Sequence, residues 1–188
     1  MSHAAAAAAV RLLCLDVDGV LTDGTVRFDG EGRESKSFSV RDGLGIVLWQ
    51  RLGGAVAIVT GRPLGEALAA RVRELRIDHV YASSTDKAAD LRRAAEACGV
   101  PTSAAAFVGD DLPDLPAMRA CGYPVAVADA VQEVRAAAAF VTAAEGGRGA
   151  VRDVVEHLLR AQDRWSQALA MFETPAAGGA GHDRPRSL

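Results

Sequence analysis

Short apolar runs alternate along this chain with longer segments in which apolar residues recur at helical spacing. A strand covered on both faces needs apolar side chains throughout, so the runs predict strands of a parallel sheet and the intervening segments predict its covering helices. The predicted strands are residues 11–17, 55–60, 79–82, 105–109, 124–128 and 140–142. The predicted helices are residues 43–52, 63–75, 87–98, 112–121, 130–138 and 150–172. The alternation predicts an α/β fold with a doubly wound parallel sheet.

The segment between residues 23 and 40 departs from this alternation. Polar and apolar side chains alternate there on either side of Gly30 and Gly32, which predicts a small β-hairpin insertion. A single domain is expected to cover residues 11–173. Residues 1–10 are expected to be flexible, and residues 174–188 to be a disordered tail, because the tail has too little apolar content to bury.

Composition argues against several classes of partner. The formal net charge is −3 and the 21 Lys and Arg residues are dispersed, so no nucleic-acid partner is expected. No stretch reaches the ~18 apolar residues that a membrane helix needs, so no membrane association is expected. Cys14, Cys98 and Cys121 are not spaced as CxxC and lie in or beside apolar runs. They favour a protein of the reducing cytoplasm.

Carboxylates follow two of the predicted strands. Asp16 and Asp18 end the first strand, and the run Gly109-Asp-Asp-Leu-Pro-Asp114 follows another. Standing alone, the first pair is also consistent with an acidic strand-to-loop cap. Because the carboxyl ends of parallel strands meet at one edge, the two groups together predict a carboxylate density that needs a cation. An all-oxygen site of this kind suits Mg²⁺.

Hydrogen-bond donors suited to phosphate follow two other strands. Thr60 and Arg62 end the second predicted strand, and Lys87 opens a helix after the third. A hydroxyl, a guanidinium and an ammonium at a helix N-terminus can all bind phosphate oxygens. Taken singly, each is also consistent with an ordinary turn or a solvated surface cation. Their order at successive strand ends favours a phosphate site.

The order DxDG, TG, Lys, GDDxxD resembles the haloacid dehalogenase superfamily of phosphotransferases. More narrowly, the motifs DVDGVLTDG, SFSVRDGLGI, TGR, GDDLPDLPAM, VAVADA and GGRGAVRDVV look like the family of 3-deoxy-D-manno-octulosonate 8-phosphate phosphatases. The resemblance spans roughly residues 12–162. It implies a Rossmann-like fold of the haloacid dehalogenase type, with the hairpin in place of a large cap domain.

The resemblance also implies catalytic roles. Asp16 is expected to attack phosphorus and form an aspartyl-phosphate, while Asp18 protonates the leaving sugar oxygen and later activates water. Mg²⁺ is expected on the Asp16 side chain, the Asp18 backbone carbonyl and Asp110. Asp114 is expected to lie behind these ligands without binding Mg²⁺ directly.

Further residues are implied to bind the substrate, a small phosphorylated sugar acid. Thr60 and Lys87 are expected to hold the transferring phosphoryl group, and Arg62 is the candidate for the sugar carboxylate. Arg71, on a predicted helix, either contributes to this site or lies on the surface. The positions that match substrate contacts are Ser39, Val40, Arg41, Asp42, Gly43, Arg62, Arg71, Asp111 and Arg148.

The absence of a cap has a further implication. A hairpin does not close a pocket alone, and in such families a neighbouring subunit completes it, so a homo-oligomer, and by resemblance a tetramer, is expected. Gly146-Gly-Arg-Gly149 is implied to lie near a subunit contact. Asp153 departs from the family, which more often has glutamate after this arginine, and this departure bears on the C-terminal contact.

Alternative functions remain open at this point. The same chemistry could act on a nine-carbon sugar acid 9-phosphate, although Arg62 and Arg148 favour the eight-carbon acid because the nine-carbon enzymes tend to carry glutamate there. Another pathway-specific sugar phosphate is also possible.

Two readings lie outside this chemistry. A phospho-accepting signalling receiver has its acceptor aspartate on the third strand, whereas Asp16 lies on the first. A catalytically silent oligomerisation module, the remaining alternative, does not require the full set of residues for turnover that this chain carries.

Overall fold

The structure is a computed structural model of the 188-residue chain, and it describes residues 2–173. It contains eight strands in this range: β1 Leu12–Leu15, β2 Arg27–Phe28, β3 Glu34–Ser35, β4 Ala55–Val59, β5 His79–Tyr81, β6 Ala105–Gly109, β7 Tyr123–Ala126 and β8 Phe140–Val141. The α-helices of the same range are α1 His3–Ala9, α2 Val40–Arg51, α3 Glu66–Glu74, α4 Lys87–Ala97, α5 Leu115–Ala120, α6 Gln132–Ala137, α7 Ala150–Ala161 and α8 Trp165–Glu173.

Six of the strands form one parallel sheet in the order β5-β4-β1-β6-β7-β8. β1 lies near its centre, with Leu12 beside Ala55 of β4 on one side and beside Ala105 of β6 on the other. Every residue of β1 and β6 is buried, as expected for strands covered on both faces. The chain passes to one side of β1 and then to the other, so the predicted doubly wound α/β fold is confirmed.

The helices cover the sheet through apolar stripes. In α7 the buried side chains recur at helical spacing and give the helix a single apolar face. The Trp49 indole of α2 donates a hydrogen bond of 2.9 Å to the Ala55 carbonyl, which satisfies the polar atom of a buried aromatic ring. The buried residues of the α7 stripe are Ala150, Val151, Val154, Val155, Leu158 and Leu159.

The predicted β-hairpin is confirmed, and its paired region is short. β2 and β3 are antiparallel, with Arg27 opposite Ser35 and Phe28 opposite Glu34. Asp29 shapes the turn, because its carboxylate accepts backbone hydrogen bonds of 2.9 Å from Glu31 and from Arg33. No large cap domain accompanies the hairpin within residues 2–173.

The structure differs from the sequence prediction at both ends of the domain. The N-terminus expected to be flexible forms α1, which Ser2 caps and which buries Ala7. The single helix predicted for residues 150–172 is two helices, because the backbone turns at Asp163, whose φ is 54°. The predicted disordered tail, residues 174–188, lies outside the described residues.

None of the helices within residues 2–173 is both long and apolar enough to cross a membrane.

Candidate active site

A cavity of about 510 Å³ opens at the carboxyl ends of the central strands. It lies where the strand order reverses around β1, the position at which doubly wound sheets bind ligands. Its lining comes from the loops after β1, β4, β5 and β6, so distant segments of the chain meet there. The lining residues are Asp16, Asp18, Thr60, Gly61, Arg62, Ser84, Thr85, Asp86, Lys87, Pro113 and Pro116.

Asp16 and Lys87 face each other across the floor of the cavity. Asp16 follows β1 directly, and its backbone N–H donates to the Val108 carbonyl, which fixes the start of the loop. Lys87 is the first residue of α4, whose N-cap is Asp86. The Lys87 Nζ lies 3.0 Å from Asp16 Oδ1 and 2.6 Å from Asp114 Oδ1. One buried ammonium therefore joins carboxylates from two different strands.

Asp114 in turn holds the loop that carries Asp110. Its Oδ2 accepts hydrogen bonds from the backbone N–H groups of Asp110, at 2.9 Å, and Asp111, at 3.3 Å. Gly19 leaves room for the Asp110 side chain, because a Cβ at Gly19 would lie 2.0 Å from Asp110 Oδ2. Gly19 also has a φ of 87°, a conformation that glycine adopts at little cost.

Three of these carboxylates could hold a cation. Oxygens of Asp16, Asp110 and Asp114 all lie within 4.8 Å of one another. Asp110 Oδ1 is buried and has no hydrogen-bond partner among residues 2–173. Such an atom is costly to bury unless something else binds it. The cluster, with its orphaned oxygen, fits a hard divalent ion such as Mg²⁺, which prefers carboxylate oxygens.

The electrostatics of the cluster agree with this fit. Burial, reinforced by the nearby Asp114 charge, raises the pKa of Asp16 to about 6. Burial and the charges of Asp114 and Asp16 raise the pKa of Asp110 to about 8. Burial alone would lower the pKa of Lys87, but the charges of Asp16 and Asp114 outweigh it and raise that pKa. Lys87 therefore stays cationic. Its single positive charge does not balance the negative charges of the carboxylates beside it.

The predicted phosphate donors lie on the same cavity. Thr60 follows β4 and is buried, and its Oγ1 accepts a hydrogen bond of 3.3 Å from the Arg62 backbone N–H. Lys87 approaches from the N-terminal end of α4, where the helix dipole adds positive charge. Ser84 lines the cavity, and its buried Oγ has no hydrogen-bond partner within residues 2–173, which makes it a donor that the sequence did not single out.

Two hairpin residues that the sequence analysis missed also reach the site. Lys36 Nζ contacts Asp18 Oδ1 and lies 2.9 Å from Glu34 Oε1. Glu34 Oε2 accepts a hydrogen bond of 2.8 Å from Arg62 Nη2, and Arg62 Nε lies 3.6 Å from Asp18 Oδ2. The four side chains form a closed ring of alternating charge, which we call the charge ring: Asp18, Lys36, Glu34 and Arg62.

A compositional signal points to Lys36. Of the 21 Lys and Arg residues only two, Lys36 and Lys87, are lysines. Both face an aspartate of the DxDG motif, Lys36 on Asp18 and Lys87 on Asp16. Each of the two lysines therefore places a compact ammonium, not a planar guanidinium, against a carboxylate of this motif.

One group of candidate substrate residues lies at the start of α2, outside the cavity lining. Ser39 caps this helix, and its carbonyl accepts a hydrogen bond of 2.9 Å from Arg71 Nη2. Gly43 makes room for that guanidinium, because a Cβ there would lie 2.2 Å from Arg71 Nη2. Arg71 also pairs with Glu74 at 2.9 Å. It therefore packs between α2 and α3, and its contact with the substrate stays a prediction.

Asp42 has a different environment from the one expected. Its side chain is buried, at 1% exposure, and accepts hydrogen bonds from the backbone N–H groups of Gly149, at 3.1 Å, and Arg152, at 2.9 Å. Burial raises the pKa of Asp42, although these hydrogen bonds oppose the shift. Asp42 thus caps the first turn of α7 within the chain, and its contact with the substrate stays a prediction.

The remaining candidate substrate residues are exposed and lie away from the cavity lining. Val40 is 80% exposed at the first position of α2, and Arg41 follows it on the surface. Asp111 caps the short helix after β6 through its hydrogen bond of 2.8 Å from the Leu112 N–H. Arg148 lies 3.4 Å from Glu145 on the surface.

Asp153, the noted departure from the family, also has a local role. Its Oδ2 accepts hydrogen bonds from the backbone N–H groups of Ala143, at 3.1 Å, and Ala144, at 2.9 Å. The shorter aspartate therefore still ties α7 to the loop after β8.

A second cavity of about 500 Å³ lies at the opposite, amino end of the sheet, near Trp49 and Arg164. Its lining contains none of the predicted site residues, all of which fall within residues 2–173. The chemistry described above belongs to the carboxyl end.

Comparisons with known proteins agree with the geometry. The model of the haloacid dehalogenase-like hydrolases matches residues 73–154. A 3-deoxy-D-manno-octulosonate 8-phosphate phosphatase of Yersinia pestis is 41% identical over 165 residues, which cover 88% of each chain. One of Escherichia coli is 42% identical over 159 residues, which cover 85% of this chain and 84% of the relative.

Solved structures show the same likeness. The crystal structure of a 3-deoxy-D-manno-octulosonate 8-phosphate phosphatase of Moraxella catarrhalis, in complex with a magnesium ion, a phosphate ion and a KDO molecule, has a TM-score of 0.87 and 37% identity. The match covers 90% of this chain and 97% of that one. By the extent and identity of these matches, the chain belongs to the 3-deoxy-D-manno-octulosonate 8-phosphate phosphatase family of haloacid dehalogenase-like hydrolases.

Proposed function

We propose that this protein is a Mg²⁺-dependent phosphomonoesterase that hydrolyses 3-deoxy-D-manno-octulosonate 8-phosphate to the free sugar acid and phosphate. The single observation that carries the chemistry is the buried arrangement of Asp16, Lys87 and Asp110 beside the cavity. The substrate class rests on the family and on Arg62, a cation 40% exposed in its side chain at the cavity rim.

The chemistry begins at Asp16. A carboxylate oxygen of Asp16 attacks phosphorus, and the bond between phosphorus and the sugar oxygen breaks. Asp18 donates a proton to that oxygen as it leaves. Asp18 then takes a proton from water, whose oxygen attacks the aspartyl-phosphate and releases inorganic phosphate with Asp16 restored.

The chain offers distinct groups for the cation and for the phosphoryl oxygens. The side chains of Asp16 and Asp110 and the backbone carbonyl of Asp18 would hold Mg²⁺, with Asp114 behind them. When bound, Mg²⁺ supplies positive charge beside the phosphoryl oxygens. The Thr60 hydroxyl and the Lys87 ammonium bind the remaining oxygens, whose negative charge is spread in the transition state.

The sugar end of the substrate would lie toward the charge ring. The Arg62 side chain is 40% exposed although it pairs with Glu34 and Asp18, so its guanidinium can also donate hydrogen bonds to the sugar carboxylate. We also propose that the exposed residues Val40, Arg41, Asp111 and Arg148 contact the substrate in an assembly, where a neighbouring subunit approaches the site. Within residues 2–173 of one chain, these four residues are not among those that line the cavity.

We further propose a homo-oligomer, specifically a tetramer, assembled around the hairpin. Large apolar side chains near the hairpin and the site mouth are exposed, among them Phe28 at 63% and Val40 at 80%. Exposed apolar groups of this size favour a protein interface. The free thiols of Cys14, Cys98 and Cys121 favour the cytoplasm as the working compartment.

The test compares phosphate release, with Mg²⁺ present, from the eight-carbon acid 8-phosphate, a nine-carbon acid 9-phosphate and neutral hexose phosphates. We expect kcat/KM to be highest for the eight-carbon acid and to fall by at least about 10⁴-fold in Asp16→Asn, because the nucleophile is lost. Asp78→Asn, an exposed aspartate outside the site, should match the wild type.

Other outcomes separate the parts of the proposal. Higher kcat/KM for the nine-carbon acid would keep the chemistry and replace the substrate. Equal and slow turnover of every ester would remove the substrate assignment. No turnover at all would favour a catalytically silent oligomerisation module.

A further inference from the structure

Lys36 belongs to the hairpin, but its side chain contacts Asp18, one of the residues that line the active-site cavity. Only 5% of that side chain is exposed, whereas the other hairpin cations, Arg27 and Arg33, are 56% and 70% exposed. Burying an ammonium is costly unless it is paired. Its partners are the carboxylates of Asp18 and Glu34. These two ion pairs offset the cost of burying Lys36.

Asp18 depends on this contact. Within residues 2–173, Lys36 is the one donor hydrogen-bonded to the Asp18 carboxylate. Asp18 Oδ2 is buried with no hydrogen-bond partner in the described part of the chain, and Arg62 Nε, at 3.6 Å, is beyond hydrogen-bond distance. Without Lys36 the carboxylate would have no hydrogen bond to choose one rotamer over another.

Glu34 holds Lys36 from behind. It lies two residues before Lys36, so both side chains project from the same face of the extended hairpin strand. Glu34 is itself hydrogen-bonded by Arg62. The Lys36 ammonium, 2.9 Å from Glu34 Oε1, and the Arg62 guanidinium together lower the pKa of Glu34 despite its partial burial. The ring therefore fixes the ammonium relative to the body of the domain.

We infer that Lys36 is a positioning residue that orients the Asp18 carboxylate for proton exchange with the ester oxygen and then with water. The inference rests on the proposed function through the role of Asp18 as acid and base. Lys36 gains and loses no proton in this account. It selects the carboxylate orientation, and the hairpin thereby becomes part of the proton-transfer apparatus of its own subunit.

The leaving group offers a readout that a structural role would not move. A sugar alkoxide is a poor leaving group and needs a proton from Asp18, whereas p-nitrophenolate leaves without one. The parameter kcat/KM reports on the steps through transfer to Asp16 and excludes the later hydrolysis. A residue that serves only proton donation should therefore matter for alkyl phosphates and not for the aryl phosphate.

The experiment measures kcat/KM for the best alkyl phosphate substrate and for p-nitrophenyl phosphate in the full-length protein with Mg²⁺. For Lys36→Met we expect a fall on the order of 10–100-fold with the alkyl phosphate and less than about threefold with the aryl phosphate. Lys36→Arg should recover part of the alkyl phosphate activity. Arg33→Met, an exposed cation of the same hairpin, serves as the matched control and should resemble the wild type.

A double-mutant cycle tests whether Lys36 acts through Asp18. Adding Lys36→Met to Asp18→Asn should cost less than about twofold beyond Asp18→Asn alone, because the group to be positioned is already lost. If Lys36→Met does not fold, Lys36→Gln takes its place in both comparisons.

Equal losses with the two substrates, or an undiminished loss in the Asp18→Asn background, would overturn the inference and leave Lys36 a structural residue. The proposed substrate can fail separately. If the wild type hydrolyses other alkyl phosphates and not the eight-carbon acid 8-phosphate, the substrate assignment is wrong. The Lys36→Met comparison with another alkyl phosphate then still tests the role of Lys36. A wild type with no phosphatase activity would overturn both.

Discussion

At the scale of single residues, the site is defined by unbalanced charge. Asp16, Asp110 and Asp114 meet around one ammonium, that of Lys87, so the cluster carries more negative than positive charge. Burial and this excess of negative charge make deprotonation of Asp16 and Asp110 less favourable, so the pKa values of both are raised. Mg²⁺ would relieve it, and this gives metal binding a measurable link to pH.

The stability gained from Mg²⁺ should grow with pH. A carboxyl whose pKa is about 8 in the folded metal-free protein, and about 4 when unfolded, binds its proton more tightly in the folded state. The free energy of unfolding without metal therefore falls as the pH rises from about 4 to 8. Mg²⁺ binds the deprotonated form and reverses this loss. The rise in melting temperature on adding saturating Mg²⁺ should be larger at pH 8 than at pH 6.

Asp110→Asn provides the control for this pH dependence. The variant should be more stable than the wild type at pH 8 without metal, because a buried like charge has been removed. It should also respond weakly to Mg²⁺. A Mg²⁺ shift that is the same at both pH values, or larger at pH 6, would contradict the assignment of Asp110 as a ligand.

At the scale of elements, the sequence predicts most of the strands and the position of the site at their carboxyl ends. It does not predict the contacts between separate elements. The apolar run at residues 105–109 matches β6 residue for residue, because a strand buried on both faces has no alternative pattern. The predicted catalytic and metal residues lie close together for the same reason, since parallel strands bring their carboxyl ends to one edge.

What sequence reasoning missed depends on contacts between elements. α1 is an alanine segment without a distinctive pattern, and it is ordered because Ala7 and Val10 pack into the core. Lys36 enters the site because of the direction of the whole hairpin, which no local pattern specifies. The motif that contains Asp42 predicts a substrate contact but gives no sign of the contact with α7 that the tertiary fold produces.

The role of Asp42 as a helix cap leads to a prediction about stability. Asp42→Ala removes the acceptor for the Gly149 and Arg152 N–H groups and should lower the free energy of unfolding by about 2–3 kcal/mol. Urea unfolding of the metal-free protein measures this loss, with Asp78→Ala as an exposed control. A variant of unchanged stability whose KM rises for the sugar acid phosphate would instead restore the substrate role.

At the scale of the whole molecule, the sheet and the hairpin contribute different residues to the site. The sheet brings Asp16, Thr60, Lys87 and Asp110 to the place where we propose that the phosphoryl group binds. The hairpin brings Glu34 and Lys36 to Arg62 and Asp18, on the side of the cavity that we propose for the sugar. A small domain with no large cap can thus build both halves of a site, and the exposed apolar residues beside it are available to a neighbouring subunit.

The central claim is that Asp16 becomes phosphorylated during turnover, and one measurement tests it most directly. The Asp18→Asn variant should form the aspartyl-phosphate but hydrolyse it slowly, because the base that activates water is missing. The protein is mixed with p-nitrophenyl phosphate and Mg²⁺, quenched in acid within one turnover, digested and mapped by mass spectrometry. We predict one phosphoryl group on the peptide containing Asp16, and none in Asp16→Asn. Release of p-nitrophenolate with no phosphoryl group on Asp16, or with that group on another residue, would contradict the account.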